Sequence, residues 1–318
     1  MEKTKLLFIA RDDSHYTVRA THYFIHELSK ITDLMVSHES GNIEDLIAKC
    51  RTKPDFIYLH DYKENGAPII EGVKNLKIPY AIGLHDLHYQ YPNRKAVLMK
   101  EGIKYIFTYC QAKFIQWYPE FSNGMKWLPH HAHLDIFKDY GLPKDIDLLM
   151  TGAAFEDYYP LRAQIIKRFE NKPEFVRHKH PGYRNVEKNE SNVIIGDDYA
   201  KEINRAKICF TCDSIYKYPI KKYFEVPACN TLLLAPFSDE LHKLGFIPGV
   251  NFVSINENNF EEKADYYLEH EEERKKIALN GMRLIQQKHS TRQRVIEFME
   301  KIGEILEEKQ ITSTDDLS

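Results

Sequence analysis

Short apolar runs of strand length recur along the chain, and most are followed by a segment with the spacing of an amphipathic helix. This alternation constrains the fold more than any other feature. Strand–helix–strand repeats place successive strands parallel in one sheet, with helices on its faces. The predicted strands of the first half are Lys5–Ala10, Asp33–His38, Asp55–His60, Pro79–His85, Tyr105–Cys110 and Met125–Pro129. Those of the second half are Asp147–Gly152, Glu174–His178, Asn192–Gly196, Lys207–Cys212, Thr231–Ala235 and Asn251–Ile255. Asp139–Pro143, between the two sets, has turn chemistry and suits a linker.

The predicted class is therefore α/β: two Rossmann-like, doubly wound parallel-sheet domains facing a cleft, with helices at the C-terminus. The expected boundaries are 1–140 and 141–289 for the two domains, 290–310 for a helix packing back toward the first domain, and 311–318 for a flexible tail. Ser290 or Thr291 suits the cap of that last helix. Val295, Phe298, Met299, Ile302, Ile305 and Leu306 fall on one face of it.

Composition narrows the partners. With 318 residues and a net charge of −3, nothing points to nucleic acid or to a strongly anionic membrane. The longest apolar runs are six or seven residues, too short to span a bilayer, which leaves room only for peripheral membrane contact. Met1–Lys5 leads straight into a strand, with no signal-peptide apolar region. The five cysteines (50, 110, 209, 212 and 229) read as reduced thiols, so the expected location is cytoplasmic. Cys209 and Cys212 form one C-x-x-C with no second pair, which is weak evidence for metal or redox chemistry.

Polar groups gather where the predicted strands end, and open parallel sheets bind ligands beyond the carboxyl ends of their strands. First-half strands run into Arg11-Asp12-Asp13, His60-Asp61, His85-Asp86 and His130-His131. Those of the second half run into Thr151-Gly152, His178, Asp197-Asp198 and Asp213-Ser214. The sequence lacks a G-x-x-x-x-G-K-S/T phosphate loop, any G-x-G, a G-x-S-x-G elbow and an H-E-x-x-H pair. Transferases of nucleotide-activated substrates and two-lobed binding proteins remain as the main classes.

The most informative stretch is KKYFEVPACNTLLLAPF, residues 221–237, where Glu225 stands among residues that otherwise read as buried. A carboxylate is costly to bury without a partner. This stretch, together with YYLEHEEERKKIALNGMRLIQQKHSTRQRV, resembles the C-terminal domain of GT-B glycosyltransferases. It is most similar to the CgeB/YkvP-like branch related to the family 4 enzymes. WLPHHAHLDIF, Trp127–Phe137, resembles the segment that closes the N-terminal domain in that family. There are departures: Asn230 stands where the family usually has glycine, Lys222 where arginine is more common, and Lys217 where an acid of the E-x7-E pattern would fall.

The resemblance implies that Glu225 binds the ribose hydroxyls of a nucleotide sugar, helped by the N-terminus of a following helix, with Lys221 or Lys222 facing the diphosphate. The alternative is a structural ion pair between Glu225 and one of these lysines. Gly152 and Arg162 correspond to a glycine and an arginine that follow the first strand of this domain in the family. A small residue there lets backbone amides approach phosphate, and an arginine can grip it bidentately. Tyr183 is a candidate for stacking on the base, and Asp213 and Ser214 for lining the donor site. In the first domain, IGLHDLHY resembles the strand-to-loop segment whose histidine touches the donor sugar, making His85 the first candidate and Asp86 the second. Asp13 or His15, after the first strand, is a candidate base for the acceptor hydroxyl; Asp12, Asp13 or Ser14 also suits the cap of the next helix.

The expected function is transfer of a sugar, of hexosyl type, from a nucleoside diphosphate donor, UDP-linked, to an acceptor the sequence does not identify. No cofactor or metal is expected, because basic side chains and helix dipoles stabilise the leaving diphosphate. Two alternatives stand beside it. One is a non-catalytic two-lobed nucleotide-sugar-binding protein, and the other is a metal-dependent hydrolase built on His85-Asp86-x-His88 and His130-His131-x-His133.

Overall fold

A computed structural model describes residues 3–187, 190 and 193–315. The chain divides into two compact units: Met1–Asp12, Thr21–Pro129 and Arg294–Ser318 form one, and Asp13–Ala20 with His130–Gln293 form the other.

The first unit is laid out as β1 (Lys5–Ile9), α1 (Ala20–Ile31), β2 (Asp33–Ser37), β3 (Gly41–Asn42), α2 (Ile43–Ala48), β4 (Phe56–Leu59), β5 (Ile70–Glu71), β6 (Tyr80–Leu84), α3 (Asn93–Glu101), β7 (Ile106–Thr108), α4 (Gln111–Trp117) and β8 (Met125–Trp127). Six of its strands form a parallel sheet in the order β2-β1-β4-β6-β7-β8. Leu7 of β1 lies between Met35 and Ile57. The short β3 and β5 pair separately as a second parallel sheet, which the alternation pattern does not reveal.

The second unit runs β9 (Ile146–Thr151), α5 (Pro160–Phe169), β10 (Phe175–His178), α6 (Gly196–Arg205), β11 (Ala206–Phe210), α7 (Lys222–Ala228), β12 (Leu232–Ala235), α8 (Asp239–Lys243), β13 (Val253–Ser254), α9 (Phe260–Glu269) and α10 (Glu271–Lys288). Its five strands form a parallel sheet in the order β10-β9-β11-β12-β13. A sixth strand was expected at Asn192–Gly196. Asn192 lies outside the described residues, Val193–Ile195 are not in a strand, and Gly196 opens α6.

Strands buried on both faces lose the polar–apolar alternation of exposed sheets and become continuous apolar runs. Phe56–Leu59 and Leu232–Ala235 are buried at every position. The last helix, α11 (Thr291–Asp315), is started by Ser290, whose Oγ accepts the Gln293 N–H at 3.1 Å. It puts Val295, Phe298, Ile302 and Ile305 into the core of the first unit beside Phe8, Phe24, Tyr58 and Phe107. Each such burial contributes about 1.5–3 kcal/mol. The helix continues through Thr312–Asp315, where the polar composition suggests a tail without structure. All five cysteines are free thiols, and only Cys50 is not buried.

In a doubly wound sheet the strand order reverses at one point, and the crevice outside the strand ends there is where ligands bind. The reversal falls between β1 and β4 in the first unit and between β9 and β11 in the second.

Candidate functional site

In the second unit, β9 ends at Gly152, whose φ is +101°. A Cβ at this position would lie 3.0 Å from Lys222 Nζ, 3.3 Å from its Cε and 3.4 Å from Arg162 Nη1. Glycine is therefore needed twice, for the left-handed backbone and for the close approach of two cationic side chains. Arg162, in the first turn of α5, is 2% exposed. Its Nη1 donates to the Ala153 carbonyl, and Nη2 lies 3.3 Å from the Cys212 carbonyl and 3.5 Å from Thr211 Oγ1. Its guanidinium also covers the Tyr159 ring at 4.3 Å. Both terminal nitrogens already donate to the protein, so Arg162 ties the ends of β9 and β11 together and supplies charge. Its Nε has no hydrogen-bond partner among the described residues.

Helix α7 carries the other two charges. Tyr223, Phe224, Val226 and Ala228 are buried, and Pro227 meets α10 where Gly281 leaves room: a Cβ there would lie 3.1 Å from Pro227 Cβ. That packing leaves Lys222 and Glu225, three residues apart on one helix face, half-buried yet within reach of solvent. Glu225 was expected to precede a helix; it lies inside α7, in its first turn. Burial pushes the Glu225 carboxyl above the usual carboxylate range, against the pull of Lys222 and Lys221. Burial and then the Arg162 charge push Lys222 down, with Glu225 opposing them. Neither Lys222 nor Glu225 has a hydrogen bond or an ion pair within 4 Å among the described residues, and the two act on each other through charge at longer range. His180, beyond β10, is also held below its ordinary value by burial and then by Lys222 and Arg162. An anion would relieve the repulsion within this cationic group.

The remaining candidates of this unit surround that group. Tyr183 is 71% exposed, with its ring 4.6 Å from that of His180. Burial raises the Asp213 carboxyl, while Lys217, 3.6 Å away, lowers it. Ser214 Oγ accepts the Tyr216 N–H at 3.2 Å, so this serine and Asp213 both stabilise the turn that ends at left-handed Lys217. Lys221 starts α7, its carbonyl accepting from Phe224 and Glu225 at 2.9 and 3.0 Å. Asn230 has φ +53°, the conformation for which a glycine would be usual, and donates to Asp139 Oδ2 at 2.8 Å. Asp13 and His15 belong to this unit as well. The His15 carbonyl accepts from Val186 N at 2.8 Å, and the Thr17 N–H donates to the Arg184 carbonyl at 3.0 Å. Asp13 is buried and His15 exposed.

In the first unit, His85 follows β6. Its Nδ1 is hydrogen-bonded to Asp61 Oδ1, and its ring stacks on Tyr109 at 3.7 Å. Asp61 and His60 follow β4, the neighbouring strand. Glu64 Oε1 accepts from His85 N at 3.1 Å, Asp86 N at 3.2 Å and Arg94 Nη1 at 2.9 Å, which fixes the loop after β6. Burial and the charge of Asp61 push the Glu64 carboxyl up to about 7 against the pull of Arg94. The Asp86 residue is exposed, and its carbonyl accepts from Arg94. His131 Nδ1 instead meets Thr291 Oγ1 at 2.9 Å, and His130 packs against Phe224.

Sequence reasoning missed His180 at the cationic group and Asp61, Glu64, Arg94 and Tyr109 around His85. Only His60-Asp61, as a polar strand end, had any local signal.

The chain, with a parallel sheet in each unit, has the GT-B glycosyltransferase fold. It is similar to the crystal structure of Anabaena HepE in complex with UDP and glucose, at 12% identity and a TM-score of 0.59, covering 95% of this chain and 100% of that one. A glycosyltransferase from Rickettsia africae is similar at 12% identity and a TM-score of 0.62, covering 96% and 99% of the two chains. Sucrose-phosphate synthase from Thermosynechococcus elongatus is similar at 11% identity and a TM-score of 0.57, covering 82% and 76%. Residues 162–300 match the family described as glycosyl transferase-like. Comparison with curated protein sequences gives no significant match. Among the described residues, no helix is long and apolar enough to cross a membrane.

Proposed function

We propose that this protein is a glycosyltransferase using a UDP-linked sugar of hexosyl type, within the CgeB/YkvP-like branch, with the nucleotide held by the second unit. One observation carries the reading: Lys222 and Glu225, opposite charges with no hydrogen bond or close ion pair among the described residues, share the half-buried face of α7 beside Gly152. The neighbouring strand ends, β9 and β11, are those between which the strand order reverses. The carboxylate of Glu225 accepts hydrogen bonds from the two ribose hydroxyls. Lys222, with the backbone at Gly152 and the charge of Arg162 behind it, faces the diphosphate. Negative charge grows on the diphosphate as the glycosidic bond breaks, and preorganised cations stabilise that charge more than they stabilise the ground state. No metal ion is needed at that position. Tyr183 offers a ring face to the base, and Asp213 and Ser214 shape the adjoining turn. The likeness to HepE, whose structure holds UDP and glucose, supports the choice of nucleotide.

His85, oriented by Asp61, is assigned to the transferred sugar, with Asp86 beside it in sequence. Asp13 and His15 are the candidates for the acceptor base. The test is incubation with UDP-, GDP-, TDP- and ADP-sugars while measuring nucleotide release, in wild type and Lys222→Ala. Release from one UDP-sugar, lost in the variant, supports the assignment. Tight UDP-sugar binding without release under any condition supports a binding protein instead.

A further inference from the structure

We infer that His60, Asp61 and His85 form a binding site for a first-row divalent transition metal in the first unit. The three are the first residues beyond β4 and β6, adjacent parallel strands in which Leu59 pairs with Ile82. One ligand atom from each lies within 4.8 Å of the others. Asp61 Oδ1 meets His85 Nδ1, and its Oδ2 lies 3.5 Å from His60 Nε2. The imidazole rings are 4.5 Å apart, centroid to centroid. Tetrahedral zinc with bonds of 2.0–2.1 Å holds its ligands about 3.3 Å apart. The trio thus closes around an ion through side-chain adjustments of roughly 1.5 Å or less.

Three features show that the arrangement is built. Asp61 has φ +52°, a conformation uncommon outside glycine, and this turn carries its carboxylate to both imidazoles. Tyr109 stacks on the His85 ring, while Glu64 and Arg94 fix the backbone that carries it. Solvent still reaches the trio, with side-chain exposures of 10% for His60, 30% for Asp61 and 9% for His85. Two imidazoles and one carboxylate suit Zn²⁺, Fe²⁺ or Co²⁺, and they leave coordination positions open to water or to a hydroxyl group. Mg²⁺ and Ca²⁺ need more oxygen ligands than one carboxylate provides. The trio differs from either histidine cluster visible in the sequence. It shares His85 and Asp61 with the sugar contact proposed above but uses none of the nucleotide contacts of the second unit.

The experiment is Zn²⁺ titration of the full chain after chelator treatment, followed by calorimetry, for wild type, Asp61→Asn and His85→Gln. The expected result is one high-affinity equivalent per chain in wild type, weakened at least tenfold in both variants. His22→Gln/His26→Gln, which removes two exposed histidines of the same unit, keeps that equivalent. Co²⁺ added to wild type reports the same site without substitution, through the intense visible absorption of a four- or five-coordinate ion. No stoichiometric Zn²⁺ binding, an equivalent unaffected in both variants, or only the weak spectrum of hydrated Co²⁺ would each overturn the inference.

Discussion

Glu225→Gln separates a ligand-binding acid from a structural one. Among the described residues the wild-type carboxylate has no partner within 4 Å, and burial opposes its charge. Replacing it by an isosteric neutral amide therefore removes no internal hydrogen bond, and the ligand-free protein should keep its Tm or gain. Binding should suffer. Gln retains one acceptor oxygen but puts an NH₂ where the second ribose hydroxyl must donate. Losing one charge-assisted hydrogen bond costs about 1.5–3 kcal/mol, roughly a 10- to 150-fold rise in Kd. UDP at 100 times the wild-type Kd stabilises by about 2.7 kcal/mol, and after a 100-fold loss by about 0.4 kcal/mol. With about 2–4 °C per kcal/mol for a unit of this size, a shift of roughly 5–11 °C should shrink to about 1–2 °C. Differential scanning fluorimetry with and without UDP reads both quantities. A lower Tm without ligand, together with an unchanged UDP shift, would refute the reasoning and make Glu225 a structural acid.

Gly152→Ala should lose about 1–2 kcal/mol of stability to its left-handed backbone and at least tenfold in UDP affinity, because the new methyl displaces Lys222 Nζ. Gly249→Ala, with φ +75° and open space around it, should show the stability loss alone, as chemical denaturation and UDP titration of the pair would reveal. Phe298→Ala, which empties a fully buried site 4.9 Å from the Tyr58 ring and 5.0 Å from that of Phe107, should cost about 3–5 kcal/mol in urea unfolding. Lys144, whose ammonium donates to the Asn230 carbonyl at 2.7 Å, is lowered to about 8 by burial. Between that value and the unfolded 10.5 the unfolded chain holds the extra proton, so wild-type stability relative to Lys144→Met should rise with pH across this window. A flat or falling difference in urea midpoints from pH 8 to 10.5 would contradict that sign.

The fold was legible because it depends on local patterning. Eleven of the twelve predicted strands appear, since strands buried on both faces are apolar throughout and their boundaries are marked by polar turns. Asn192–Gly196 failed because a short apolar run does not by itself distinguish a strand from the approach to a helix, and Gly196 opens α6. The two-residue β3 and β5 are too short to show any periodicity.

The chemistry divides along the same line. Sequence alone singled out Glu225 with Lys221 and Lys222 before it, because an acid and two lysines beside an apolar stretch are anomalies of the local chain, and the family resemblance added Gly152. It also carried the GT-B resemblance. Only the tertiary structure decided that Glu225 has no ion pair within 4 Å among the described residues, that the Arg162 terminal nitrogens meet the ends of β9 and β11, and that His180 joins the cationic group. The trio of His60, Asp61 and His85 depends equally on strand order: β4 and β6 are neighbours in the sheet, though more than twenty residues separate their ends in the chain. Charge, burial and periodicity are properties of a segment and can be read locally. Which side chains share a few ångströms is a property of the sheet that brings their strands together.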